Sequence, residues 1–165
     1  MTEEREELRC SYKPDSVKLL LLGEAPPSKL EKFFYSGAAI TAHTAKAFGS
    51  KFDTAHEPKT FLKHFKDSDC YLEDILHEPV ASQETKNKQL ADAFPDFCHR
   101  LKALGPHYVV VFLKGLDLYV RTALAQTGLN PDYHVLPFPG HGHQTKYTAG
   151  LTDILTDLKS QGKPG

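Results

Sequence analysis

Cysteine is scarce in this chain of 165 residues, and its three thiols lie far apart, at Cys10, Cys70 and Cys98. They show no Cys-x-x-Cys spacing, which is typical of zinc sites and redox motifs. An odd, scattered set favours reduced thiols in the cytosol, and it argues against a zinc site or an iron–sulfur cluster built from cysteine alone. We therefore predict a cytoplasmic, bacterial-type soluble protein.

Long apolar runs are also missing. No stretch approaches the roughly 20 apolar residues that a membrane-spanning helix needs, and the acidic start over residues 1–7 does not resemble a secretory signal. Hydrophobic residues make up 40% of the chain and charged residues 25%, as in ordinary globular proteins. We expect a monomer with one domain over residues 1–165, a polar lead-in with one helical turn over 1–16, a tail over 161–165, and no membrane partner.

An excess of one charge is absent too. With histidine neutral the net charge is −1, so no overall basic character indicates a nucleic-acid partner. Nine histidines are many for this length, and a face that carried several would gain positive charge below about pH 6.5. No Walker-type or GxGxxG glycine loop follows the first apolar run, which argues against binding of nucleotide phosphates there.

The most informative stretch that is present is a short apolar run, residues 17–22, which ends at Gly23-Glu24-Ala25-Pro26-Pro27. A run this short and apolar predicts a buried strand of a parallel sheet. The two prolines withhold N–H donors and fix φ, so the following loop is stiff. Ligands of open α/β sheets bind beyond the carboxyl ends of the strands, and this loop is therefore a candidate site.

Strand and helix patterns alternate along the chain. Such alternation predicts an α/β fold, a three-layer sandwich with a central four-stranded parallel sheet covered by helices on both faces. Pro95 should kink or split the long helix predicted over residues 84–104, near Phe94. The predicted strands span residues 17–22, 69–75, 108–112 and 133–138, and the predicted helices span 38–48, 60–66, 84–104, 116–125 and 146–159, with a loop over 50–58.

Two loops should then emerge at one edge of the sheet, residues 23–37 and residues 137–147. The first contains Phe33, Phe34 and Tyr35, and the second contains His141 and His143. The two histidines form a His-x-His pair, but no third ligand lies near them in sequence, so we expect no metal site.

With these motifs the sequence resembles the uracil-DNA glycosylase superfamily. One branch of that superfamily writes its first motif, at the end of strand one, as Gly-Glu-Ala-Pro-Gly; here it stands as Gly23-Glu24-Ala25-Pro26-Pro27. The second motif, close to His-Pro-Ser-Pro, follows the last strand, where Phe138-Pro139-Gly140-His141 is the best match. The resemblance covers the strand order and both end motifs.

The resemblance implies roles for individual residues. Gly23 and Ala25 would line the base pocket, Phe34 or Tyr35 would stack on a flipped base, and Glu24 would serve the sugar or orient water. His141 or His143 would serve the base or its flanking phosphate, with Phe138 beside them. The base-reading position after strand two falls on Asp74.

Several residues depart from the family pattern. Ala25 stands where some families carry the Asp or Asn that positions water, and Phe138 replaces the motif histidine, so His141 would have to substitute for it. Asp74 stands in place of the base-reading Asn. The iron–sulfur cluster of the Gly-Glu-Ala-Pro-Gly branch needs four cysteines, so we expect no cofactor.

The first hypothesis is a DNA glycosylase of base-excision repair, which flips a deaminated or modified base from damaged or single-stranded DNA and hydrolyses its N-glycosidic bond. The second is a weak or inactive relative that binds nucleic acid or a nucleobase without cutting. The third is a small-molecule hydrolase or nucleotide-binding α/β domain. A glycosylase should gather these cations near the strand ends: Lys29, Lys32, Lys114, Arg121 and Lys146.

Overall fold

The computed structural model describes residues 2–49 and 57–160; most of the predicted loop over 50–58 and all of the tail over 161–165 lie outside the described residues. Within the described ranges, a sheet of four parallel strands is flanked by six α-helices, which confirms the predicted three-layer α/β fold. The strands are β1 Leu19–Gly23, β2 Cys70–Asp74, β3 Tyr108–Val111 and β4 Asp132–Val135, and the helices are α1 Thr2–Ser11, α2 Ala39–Phe48, α3 Pro58–Asp67, α4 Gln83–Leu104, α5 Asp117–Thr127 and α6 Gln144–Ser160.

The strand order is β2-β1-β3-β4, so β1 occupies the interior of the sheet. Its register pairs Leu21 with Leu72 of β2 on one side and with Val110 of β3 on the other. All five residues of β1 are buried, as the continuous apolar run predicts for a strand covered on both faces. The first motif therefore begins where the most enclosed strand ends.

The helices form one layer on each face of the sheet. On one face α2 packs against α3 and α6, and the buried hydroxyls of Thr44 and Tyr147 lie 2.8 Å apart across the contact of α2 with α6. On the other face α4 packs against α5, with the ring of Phe94 edge-on to Tyr119. Both apolar faces of the parallel sheet are thereby removed from water.

The chain order places a crevice between β1 and β3. From β1 the chain passes to β2 at one edge, and it then crosses back to β3 and β4 on the other side. The connections that leave β1 and β3 therefore diverge to opposite faces, which opens the space beyond their carboxyl ends.

Within the lead-in predicted over residues 1–16, residues 2–11 form helix α1, which is longer than the single helical turn that we expected. Two arginines one helical turn apart, Arg5 and Arg9, are almost completely buried. Arginine has an apolar stem and a charged head, so it can be enclosed where carboxylates receive the guanidinium. Composition alone made this segment look like a solvated leader.

Two further predictions concern segments that contain proline. Helix α4 continues through Pro95, so the proline does not split it, and the rings of Phe94 and Phe97 on either side both contact Tyr119 of α5. Strand β4 ends at Val135 rather than at residue 138, since prolines 137 and 139 have no N–H to donate to a ladder. None of the helices in the described part of the chain is long and apolar enough to cross a membrane.

Candidate functional site

A cavity of about 410 Å³ lies at the carboxyl ends of β1, β2 and β3. Most of its wall is apolar, and it contains two carboxylates and one ammonium group, which is the usual composition of a small-ligand site. Its lining residues are Gly23, Glu24, Ala25, Pro26, Pro27, Ser28, Lys32, Phe33, Phe34, Ile40, Leu72, Asp74, Pro79, Val80, Phe112, Leu113 and Phe138.

The first-motif loop is held to the chain that follows β2. The N–H of Ile75 donates to the carbonyl of Gly23 at 3.0 Å, and the N–H of Leu76 donates to the carbonyl of Glu24 at 2.8 Å. These bonds continue the β1–β2 ladder past the ends of both strands, so the loop backbone has little freedom. The Glu24 side chain is partly exposed, and its Oε2 lies 3.5 Å from Nζ of Lys86 on α4.

Gly23 allows two other side chains to approach the β1 backbone. A Cβ at this position would lie 2.7 Å from Oδ1 of Asp74 and 2.8 Å from Cζ of Phe112. Both distances are shorter than van der Waals contact. Glycine is therefore required here for close approach rather than for an unusual φ.

Replacing Gly23 with Ala is expected to destabilise the protein by about 1–3 kcal/mol, because the added methyl overpacks the junction of the Asp74 carboxylate and the Phe112 ring. Urea unfolding measures the loss. Gly115→Ala is the matched control, since a Cβ there meets no atom within 4 Å. Equal stability of the two variants would contradict the close approach.

Asp74, the predicted base-reading residue, lies at the end of β2 and lines the cavity. Its Oδ2 accepts a hydrogen bond from Nη2 of Arg9 at 3.1 Å. Its side chain is 8% exposed, and its other carboxylate oxygen, Oδ1, lies beside the Cα of Gly23. Burial raises the pKa of Asp74, and the Arg9 guanidinium opposes that rise.

Arg9 also contacts Glu73, the residue before Asp74. Its Nη1 lies 3.2 Å from Oε1 of Glu73, and Arg100 of α4 approaches the other carboxylate oxygen at 3.3 Å. Burial alone would raise the pKa of Glu73, but a hydrogen bond from His77 and the two guanidinium charges hold it below its ordinary value. Arg100 further donates to the carbonyls of Asp74 and Ile75, which fixes the backbone at the end of β2.

The predicted stacking aromatics fall in different places. Phe34 lines the cavity but is 3% exposed, with its ring tilted against Phe65, so it forms part of the wall. Tyr35 lies in the core, where its hydroxyl donates to the carbonyl of Leu72 at 2.9 Å and accepts from the N–H of the same residue at 2.7 Å. The structure therefore separates the two candidates and brings only Phe34 to the cavity.

Phe138 has the most accessible ring at the cavity. It is 43% exposed and lies 6.1 Å, centroid to centroid, from Phe112, which is also part of the wall. Phe138 thus provides an exposed aromatic face at the cavity. Phe112 was not predicted as a site residue, although it directly follows the buried run of β3.

The histidine loop lies away from the cavity wall. His141 and His143 are both exposed, and neither belongs to the described residues that line the cavity. His141 has a φ of 50°, a left-handed conformation that non-glycine residues rarely adopt. In the described ranges, no group of three His, Cys, Asp or Glu side chains is arranged to hold a metal ion.

Of the five predicted cations, Lys32 is the one found among the described lining residues. Arg121 instead pairs with Asp117 on its own helix at 2.8 Å and lies over the ring of Tyr133 at 4.9 Å. The structure therefore places Lys32 in the cavity wall and a second lysine, Lys86, in an ion pair with Glu24.

No protein family matches the chain, and no curated protein matches it.

Sequence reasoning missed Arg9, the residue that binds Asp74. The clue was the spacing of Arg5, Leu8 and Arg9, which places all three on one side of a helix. A basic pair within an otherwise acidic segment, at helical spacing beside an apolar residue, indicates a face that packs against carboxylates.

Proposed function

We propose that the cavity binds a nucleobase flipped out of DNA and that the protein hydrolyses its N-glycosidic bond. The observation that carries the proposal is the placement of two carboxylates in one largely apolar cavity beyond β1 and β2. Glu24 lies at the exposed side and Asp74 at the buried side. A flipped base must be enclosed by apolar or aromatic surface and have its polar edge satisfied.

The chemistry divides between the two acidic residues. Breaking the bond between C1′ and the base nitrogen leaves positive charge on the sugar and passes the electron pair to the base. The Glu24 carboxylate would stabilise that positive charge and accept the proton of the attacking water. Asp74 would accept an N–H of the base, and Lys32 would offset a flanking phosphate charge.

A second candidate function is binding of the base without excision, and a specific observation favours it. Asp74 places an acceptor on the base side, and an acceptor does not stabilise the negative charge that a leaving base develops. In the described structure, neither His141 nor His143 reaches the cavity wall to supply a donor there.

The deciding experiment incubates the protein with single- and double-stranded oligonucleotides that each contain one uracil, hypoxanthine, xanthine or 5-substituted uracil. Abasic sites are measured by alkaline strand cleavage, and binding is measured by fluorescence anisotropy. Abasic sites made by the wild type but not by an identically purified Glu24→Gln variant support excision. Binding without abasic sites supports the second function, and absence of both contradicts the proposal.

Asp74→Asn is expected to increase uracil binding or excision about tenfold, because a mispaired polar group in a dry site costs about 1–3 kcal/mol. An ionised carboxylate accepts the uracil N–H but repels the adjacent carbonyl, whereas the NH2 group of an amide donates to that carbonyl. Excision rates and Kd values for a uracil oligonucleotide measure the effect. If the wild type already removes uracil efficiently and the Asn variant is no better, Asp74 does not read the base.

A further inference from the structure

Helix α1 places one buried side chain against Asp74, which lines the cavity. Arg9 is 1% exposed, and its Nη2 donates to Oδ2 of Asp74 although 65 positions separate the two residues in the chain. The Arg9 side chain is thus buried beside Asp74 and is not exposed at the surface.

The guanidinium of Arg9 is fixed by contacts on every side. Nε donates to Glu6 at 3.2 Å, Nη1 donates to the carbonyl of Leu72 at 3.3 Å, and the group lies over the Phe33 ring at 5.2 Å. A planar donor group held by several partners sets the orientation of any carboxylate that it binds. Arg9 therefore determines which oxygen of Asp74 remains available.

That oxygen is Oδ1. Oδ2 is occupied by Arg9, while Oδ1 lies against the backbone of Gly23, and both Asp74 and Gly23 line the cavity. An ionised carboxylate oxygen only accepts hydrogen bonds. A ligand that reaches the floor of the cavity therefore meets an acceptor held in place.

We propose that Arg9 is a positioning residue that holds Oδ2 of Asp74 and turns Oδ1 toward the cavity, so that the site selects bases with N–H donors on the edge they present. This inference rests on the proposed nucleobase site and adds the class of base that it takes. Purines with donors at N1 and at the exocyclic amino group, as in guanine, fit best. Hypoxanthine offers the N1 donor alone, and unsubstituted purine offers an acceptor there.

The test uses three oligothymidylates of equal length that carry one central guanine, hypoxanthine or unsubstituted purine. Binding of each is measured by fluorescence anisotropy at pH 6 and pH 8, with the all-thymine strand as background. The wild type should bind in the order guanine, hypoxanthine, purine, with about tenfold or more between the first and the last. The order should be the same at both pH values.

Two variants distinguish a role of Arg9 in positioning Asp74 from a role in the stability of the fold alone. Asp74→Asn should remove the order at both pH values, because an amide donates as well as accepts. Arg9→Gln should keep the order at pH 8 and lose it at pH 6, because a buried carboxyl without its cation takes up a proton and becomes a donor. Glu6→Gln is the control: it removes one partner of Arg9 but leaves the bond to Asp74, so the order should stay.

Other charged groups near Asp74 are common to all the variants. They are Glu73 on its own strand, His77 in the following loop and Arg100 on α4. A pH effect that came from them would also appear in the wild type and in Glu6→Gln. Loss of the order in Arg9→Gln alone, at pH 6 alone, therefore identifies Asp74 as the group that changed.

The outcomes of this binding test can be distinguished from those of the excision assay. The binding order can hold without any abasic site, in which case base selection stands and hydrolysis fails. Excision without the binding order overturns the inference about Arg9 and leaves the proposed function intact. If Arg9→Gln does not fold, as judged by circular dichroism, an unchanged order in Asp74→Asn still refutes the inference.

Discussion

Replacing Glu24 with Gln is expected to reduce the rate of base excision about 100-fold or more, the usual effect of removing a general base. The amide keeps the size and one acceptor of the side chain but cannot take a proton from water. Affinity for the uncut oligonucleotide should change little, because the base is held at the other side of the cavity. Single-turnover kinetics with saturating enzyme measure the chemical step without a contribution from binding.

Two control variants accompany this test. Glu31→Gln removes an exposed carboxylate from the same loop region and should leave the rate unchanged. Lys86→Met removes the cation 3.5 Å from Glu24 and should lower the rate by a smaller factor, since a partly exposed ion pair contributes little. An excision rate for Glu24→Gln within twofold of the wild type would remove Glu24 from the mechanism.

The sheet was predictable because burial and apolar sequence coincide in it. Each of β1 and β3 is a short apolar run covered on both faces, and helices of ordinary length separate the strands. The first-motif loop and Asp74 were predictable for the same reason, because both lie where a strand of the parallel sheet ends.

The positions of the other side chains in and around the cavity depend on contacts between residues far apart in sequence. Tyr35 and Phe34 are adjacent aromatics in one loop, yet one bonds to the backbone of β2 in the core and the other lines the cavity. Nothing local distinguishes them. Arg9 was missed because a buried charge is predictable only together with its carboxylate partners, and those lie on β2.

Loss of the Arg9 charge should have the largest effect on stability. Arg9→Met is expected to reduce the free energy of unfolding at pH 7 by about 3–5 kcal/mol, because it leaves a buried carboxylate without its cation. Urea denaturation followed by circular dichroism measures this loss. Glu6→Gln provides the comparison, because it removes only the partly exposed partner of Arg9 and should cost less than about 1 kcal/mol.

A second substitution and a change of pH show whether the stability loss in Arg9→Met comes from the missing charge or from lost packing. Arg9→Met with Asp74→Asn removes both charges of the Arg9–Asp74 pair, and Glu73 keeps Arg100, so most of the stability should return, to within about 1–2 kcal/mol of the wild type. In Arg9→Met alone, the buried Asp74 has lost its cation, so its folded-state pKa rises further. A group with a raised folded-state pKa loses its contribution to stability as the pH rises through that pKa. The deficit of Arg9→Met relative to wild type should therefore be smaller at pH 5 than at pH 8. A deficit that is equal at both pH values and persists in the double variant would assign the role of Arg9 to the contact of its guanidinium with the Phe33 ring rather than to its pairing with Asp74.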